Sequence, residues 1–395
     1  MDRTFKAIIA TMLAIIVVSA TFVGGAMFGR LSAGAAVVPS ASASSTLSST
    51  VGKVDGIIRA SALEPSSEDS ITANAVRGML ESLGDPYAHY YDKKAYAQMM
   101  EETTGQFGGI GVTFGMKNDK ATIARILPGT PAERAGVKAD DVIAEVDGKP
   151  TAKQTTDQIS ERIRGPKGTT VTIGLERAGT QGLITVKIVR DVIVVPNVDS
   201  KMMGKDVGYI RMWSFNERSA DDTRKAMLDL AGKGAKGYVL DLRENPGGLL
   251  SAAVDVASLF VADGVIVRVD ERGVPEEEHR ATGNLATDKP LVVLVDDNSA
   301  SASEIVAGAL QDYKRAIIVG IKSYGKGSVQ TLRPLGDGSA VKLTTAHYLT
   351  PKKRVINKKG VTPDVVVPMD YKLQAKPETD TQLIRALEEL RKQFK

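Results

Sequence analysis

Apolar residues recur along this chain with changing periods, and the changes mark its organisation. Between residues 51 and 102 they return at helical spacing and predict two or three helices. From 105 to 190 the apolar runs shorten and are punctuated by glycine, proline and aspartate. Strands are expected over 121–126 and 142–146, the second turned by Asp147-Gly148, with a short helix over 131–135, a longer one over 155–164 and a hairpin through 177–180. Further on, a strand-like run at 238–242, broken only by Asp241, and an apolar run at 316–320 stand beside helix-period stretches at 249–260 and 302–313, which predicts a mixed α/β region. The stretch 379–394 carries Leu383, Leu387 and Leu390 on one side, an amphipathic helix that packs on the core or on a partner subunit.

The beginning of the chain reads differently. Arg3 and Lys6 precede an uncharged stretch over 7–29, long enough to cross a bilayer at about 20 residues per span. An uncleaved anchor is favoured over a cleaved signal peptide, for which Ala33-Gly34-Ala35 would be the cleavage site. The preceding positive charges keep the N-terminus inside and put the rest of the chain outside the cytoplasm. Residues 31–50, rich in serine and alanine, are expected to be a disordered linker.

Composition narrows the setting. At 395 residues the chain calls for two or three modules. A net charge of +4 is nearly balanced, and no basic cluster is interleaved with aromatics, so nucleic acid is not an expected partner. The absence of cysteine excludes disulfides and a lipid-modified N-terminal cysteine.

The chemistry concentrates in two segments, Asn298-Ser-Ala-Ser-Ala-Ser-Glu304 and Ser323-Tyr-Gly-Lys-Gly-Ser-Val-Gln330. A serine hydroxyl needs a base, yet the three histidines stand in no triad context and no Gly-x-Ser-x-Gly elbow occurs. Lysine serves if burial removes its proton, and Lys326 lies between two glycines just after an apolar run, where close backbone approach excludes water. Ser301 would open the helix 302–313, where unpaired amides and the positive dipole end favour an oxyanion. Asn245-Pro-Gly-Gly248 offers a second such start, making the amides of Gly247 and Ala302 the candidate oxyanion hole. Taken singly, each element is commonplace: a serine cap, a glycine turn, a strand glutamine. Two rival motifs overlap the lysine. The Gly320-x4-Gly325-Lys326 string lacks the Ser or Thr of a phosphate loop, and Ser323-x-x-Lys326 lacks the helix and companion motifs of the penicillin-recognising enzymes.

These segments, in register with Asp241-Leu-Arg-Glu-Asn-Pro-Gly-Gly248, resemble the carboxyl-terminal processing, or tail-specific, serine proteases. The resemblance runs from about Asp85 to Val367, and Glu244 stands where that family more usually has asparagine. It implies that Ser301 is the nucleophile, Lys326 the general base and Gln330 the group that orients the lysine, on a mixed α/β, crotonase-like core with no metal or cofactor. Gly109-Ile-Gly-Val112 and the order of elements that follows resemble a bacterial PDZ domain. That likeness implies that Gly109, Ile110, Gly111 and Val112 receive a chain-terminal carboxylate, with Ile159 and Ile163 lining the groove; the alternative is that Gly108 and Gly109 only make a turn and the isoleucines are core.

The expected organisation is a membrane anchor or signal (1–30), the linker (31–50), a helical region (51–103) that can mediate homo-oligomerisation, a PDZ domain (104–190), the protease core (191–371) and a terminal helix (372–395). The expected function is a membrane-tethered endopeptidase that engages protein C-terminal tails and cleaves nearby bonds, with 163–168 a contact loop through which the PDZ domain gates the site. A non-catalytic PDZ adaptor is the alternative.

Overall fold

The computed structural model describes residues 45–195, 197–369 and 377–394. The stretch read as an anchor or signal, and the linker up to residue 44, lie outside them. No helix among the described residues is long and apolar enough to cross a membrane. The chain forms two compact units, one ending at Val76 and the other covering Arg77–Lys395.

In the first unit the helix Ser45–Ser61 begins inside the stretch expected to be a linker. Leu47, Val51 and Val54 carry the helical period back across residue 50, which the serine-rich composition had masked. A second helix spans Glu68–Glu81.

The second unit opens with the strand His89–Tyr91 and the helix Lys93–Thr104. The PDZ-like module follows, with Val112–Lys117, Lys120–Ile126, Val142–Val146, Thr170–Glu176 and Ile184–Val189 in one antiparallel sheet. Its helix Thr156–Ile163 starts with a capping box, in which Gln158 N–H donates to Thr155 Oγ1 and Thr155 N–H to Gln158 Oε1. The module has its own core, in which Ile159 and Ile163 are buried. That corrects the expectation that they line the groove: four residues apart, they share the helix face that turns onto the sheet. A two-stranded stem, Gln106–Gly109 antiparallel to Asp191–Val194, joins the module to the body.

The body is built on a sheet ordered Val198–Met203, Val207–Met212, Gly237–Asp241, Leu291–Val295, Ile317–Gly320 and Val365–Val366. All pairs after the first are parallel. Both faces are covered at the centre, so Leu291–Val295 and Ile317–Gly320 read as continuous apolar runs. Ile210, Leu240 and Val293 pack on one side, against the helices Leu250–Ser258 and Ala302–Asp312. Tyr209, Val239 and Val292 pack on the other, against Leu383, Ala386 and Leu390 of the helix Thr381–Arg391. The leucine stripe therefore belongs to the core. A second sheet holds Ala340–Leu349 between Ser328–Pro334 on one edge and both His89–Tyr91 and Val265–Glu271 on the other.

Candidate active site

Three neighbouring parallel strands bring together segments far apart in the chain. Gly237–Asp241 runs out into the turn ending at Gly248, Leu291–Val295 into the loop before Ser301, and Ile317–Gly320 into the loop holding Lys326. The carboxyl ends of adjacent parallel strands form a crevice suited to a ligand. Hydrogen bonds knit the three ends together: Ser299 Oγ donates to Leu242 O at 2.8 Å, Ser303 Oγ to Asn245 O at 2.9 Å and Tyr324 N–H to Ser299 O at 3.1 Å.

Ser301 opens the helix Ala302–Asp312 with φ 55° and ψ −113°. A non-glycine residue there is strained, by about 1–3 kcal/mol, and such strain collects at functional sites. The bend aims the hydroxyl at Tyr348, whose OH lies 3.4 Å from Oγ. Burial pushes the Tyr348 phenol above its ordinary value, so it stays a neutral partner.

Glu304, fully buried one turn into the helix, holds serine and lysine segments together. Its Oε2 accepts Ser301 N–H at 2.9 Å and Lys326 N–H at 2.8 Å. Its Oε1 accepts Ser323 Oγ–H at 2.6 Å and Gly325 N–H at 2.7 Å. Burial raises the carboxyl above its usual value, and these donors pull it back down in part.

Lys326 is half-buried between Gly325 and Gly327. A Cβ on Gly327 would sit 2.2 Å from Asn357 N, so the backbone here packs as closely as the sequence implied. The lysine sits below its ordinary value, first because burial disfavours the ammonium and then because Lys342 repels it, with Glu304 opposing. The amine makes no hydrogen bond to Ser301 Oγ; it faces the Tyr87 ring, 4.8 Å from the centroid. Gln330 does not reach the amine either: a bulge between Val329 and Gln330 shifts the register, and the Gln330 amide donates to Ser328 O at 3.0 Å and Ser328 Oγ at 2.8 Å.

The two candidate oxyanion donors flank Ser301. Ala302 N–H, at the helix start, has no hydrogen-bond partner among the described residues. Gly247, at φ 99°, lies so close that a Cβ would be 2.8 Å from Ser301 Cβ and 2.9 Å from Ala302 N. Its N–H is held by its neighbour Asn245 Oδ1 at 2.9 Å.

In the PDZ-like module Gly109 pairs in the stem, and Gly111, at φ 86°, accepts Leu127 N–H at 2.9 Å. The N–H groups of Ile110 and Gly111 have no partner among the described residues, as an anion-receiving loop requires. Val112 begins the edge strand. The loop 163–168 sits on the stem: Gly165 N–H donates to Gly108 O at 3.1 Å and Arg164 pairs with Glu101 at 2.9 Å.

Sequence reasoning missed Glu304, Tyr348 and Tyr87 as parts of the site. Only Glu304 left a signal, the Ser-x-x-Glu spacing of a capping box. No group of His, Asp or Glu side chains among the described residues is arranged to hold a metal ion.

Fold and site together define a serine-type peptidase carrying a PDZ module. Residues 206–367 match the model of peptidase family S41, and 122–177 match that of the PDZ domain. The carboxy-terminal-processing protease of Bartonella bacilliformis is 43% identical over 308 residues, 76% of this chain and 70% of that protein. The carboxyl-terminal-processing protease of Picosynechococcus is 40% identical over 322 residues, 80% of this chain and 78% of its own. Among solved structures, the photosystem II D1 C-terminal processing protease shares 32% identity, with 82% of this chain and 88% of that one covered and a TM-score of 0.49. The chain belongs to the carboxyl-terminal processing proteases of peptidase family S41.

Proposed function

We propose that this peptidase cuts peptide bonds with a Ser301–Lys326 dyad after its PDZ module has engaged the C-terminal tail of a protein. The Ser301 oxygen attacks the scissile carbonyl, and neutral Lys326 takes the hydroxyl proton and returns it to the leaving amine. Ala302 N–H and Gly247 N–H hold the oxyanion once Gly247 leaves Asn245 Oδ1. Gln330, turned from Ser328, orients the amine. The observation that carries this reading is the Glu304 clamp, which joins the backbone of the serine to that of the lysine through one buried carboxylate.

The unpartnered amides of Ile110 and Gly111 support capture of a terminal carboxylate beside the edge strand starting at Val112. The seat of the 163–168 loop on the stem supports a route by which tail binding alters the site. The apolar stretch 7–29 supports a chain held at the membrane with its catalytic part outside the cytoplasm.

The test is cleavage of an unfolded protein by membranes from cells carrying the wild-type chain, Ser301→Ala or Lys326→Ala. Wild-type membranes are expected to cut, and both variants to lose at least a thousandfold. Equal cutting by all three would refute the dyad, activity confined to the soluble fraction would refute the tether, and tail-peptide binding without cutting at any pH would leave an adaptor.

A further inference from the structure

The Lys326 amine looks onto an aromatic face. Among the described residues its Nζ has no hydrogen bond and no ion pair, and the Tyr87 ring centroid lies 4.8 Å away. Tyr87 ends a turn that Asp85 fastens to the catalytic body: Oδ1 accepts Tyr87 N–H at 2.9 Å and Oδ2 accepts Thr344 N–H at 3.1 Å. Thr344 is the strand partner of Gln330, so the turn is anchored directly across from that residue. The arrangement repeats nearby, where Lys342 Nζ lies 5.3 Å from the Tyr91 ring centroid and donates to Tyr91 Oη at 2.8 Å. Two tyrosines of one short segment thus each receive a lysine of the body.

An aromatic face attracts an ammonium and has little hold on a neutral amine. We propose that Tyr87 is a positioning residue of the peptidase: its ring seats the protonated Lys326 side chain away from Ser301 between turnovers and releases it when the proton is lost. This inference rests on the dyad reading above. The other charged groups acting on the lysine are the Lys342 cation and the Glu304 carboxylate; Tyr324 meets the Tyr87 hydroxyl, and Asp85 lies behind the turn. All remain when Tyr87 is replaced.

Because the ring favours the charged form, it holds the lysine's titration higher than an apolar cover of similar bulk would. The experiment is the pH dependence of kcat/KM for the full chain on one unfolded substrate, with Tyr87→Phe, Tyr87→Trp and Tyr87→Leu. Tyr87→Phe keeps the face and loses only the hydroxyl's contact with Tyr324, so its limb is expected to stay within a few tenths of a unit of wild type. Tyr87→Trp strengthens it and should move the rising limb to higher pH, whereas Tyr87→Leu should move it about half a unit to one unit lower. A merely structural residue would change the melting temperature and leave the limb in place.

A Tyr87→Leu limb coincident with wild type, or shifts of the same sign for Trp and Leu, would overturn the proposal. If Tyr87→Leu does not fold, Tyr87→Trp decides, since a limb that fails to rise in pH refutes the seat. Lys326→Ala separates the two levels. If it still cuts at the wild-type rate the dyad itself fails; if it is inactive while the Tyr87 limbs stay fixed, only the seat fails.

Discussion

Ser301 lies at a helix start, where serine usually caps, yet its backbone is bent to φ 55° and its hydroxyl faces Tyr348. The carboxylate of Glu304 takes the Ser301 N–H, so the backbone at the bend is held from within its own helix. That geometry has a cost, and glycine at position 301 would relieve it. Ser301→Gly is therefore expected to be about 1 kcal/mol more stable than Ser301→Ala, which keeps the strain, while both are inactive. Chemical denaturation measures the difference; equal midpoints would mean that the bend stores nothing. The direction of the Lys326 shift also has a sign. A lysine whose folded value lies below its unfolded one adds stability as pH rises from the folded value towards about 10.4, and the neutral amine accumulates over the same window.

At the scale of elements, the Asp241-Leu-Arg243 strand end ties the catalytic turn to the terminal helix. Arg243 pairs with buried Asp241 at 2.6 Å and with Asp380 at 2.9 Å, and Asp380 caps the helix Thr381–Arg391 by accepting Leu383 N–H at 3.0 Å. The Arg243 guanidinium, together with the Tyr209 hydroxyl, holds Asp241 below the usual carboxylate range despite its burial. Arg243→Ala leaves two buried carboxylates uncompensated and is expected to cost about 3–5 kcal/mol, with the terminal helix released first. Hydrogen exchange across Thr381–Arg391 would show this, and unchanged protection there would contradict it. The motif was legible in the sequence as a turn offering a candidate oxyanion donor. Its link to residue 380 was not, because nothing local in Asp241-Leu-Arg243 encodes a partner that distant. Helices and strands of the core stood out because apolar runs and turn residues agree there. Ile159 and Ile163 stayed open between groove and core because an amphipathic face looks the same whether it meets a groove or a sheet. Tyr87 went unread as part of the site for a related reason: a cation and a ring leave no spacing signature when they sit on separate segments.

Across the whole second unit, distant segments of the chain converge on one crevice. Parallel pairing of Gly237–Asp241, Leu291–Val295 and Ile317–Gly320 aligns the three loops that carry Gly247, Ser301 and Lys326. The sheet holding Ala340–Leu349 adds Tyr348 beside the serine, and the Gly84–Tyr87 turn covers the lysine. The PDZ module, with its own core, connects through the stem that carries the 163–168 loop. The lysine rests on Tyr87, Gln330 on Ser328 and Gly247 on Asn245, so the proposed mechanism calls for three side-chain or peptide movements within an already assembled frame. The claim on which all of this depends is that Lys326 loses its proton to become the base. The direct measurement is the pH profile of wild-type kcat/KM on an unfolded protein substrate. The expected profile is a single limb that rises with pH and levels off below the ordinary lysine value of about 10.4. A profile with no rising limb below that value would contradict it.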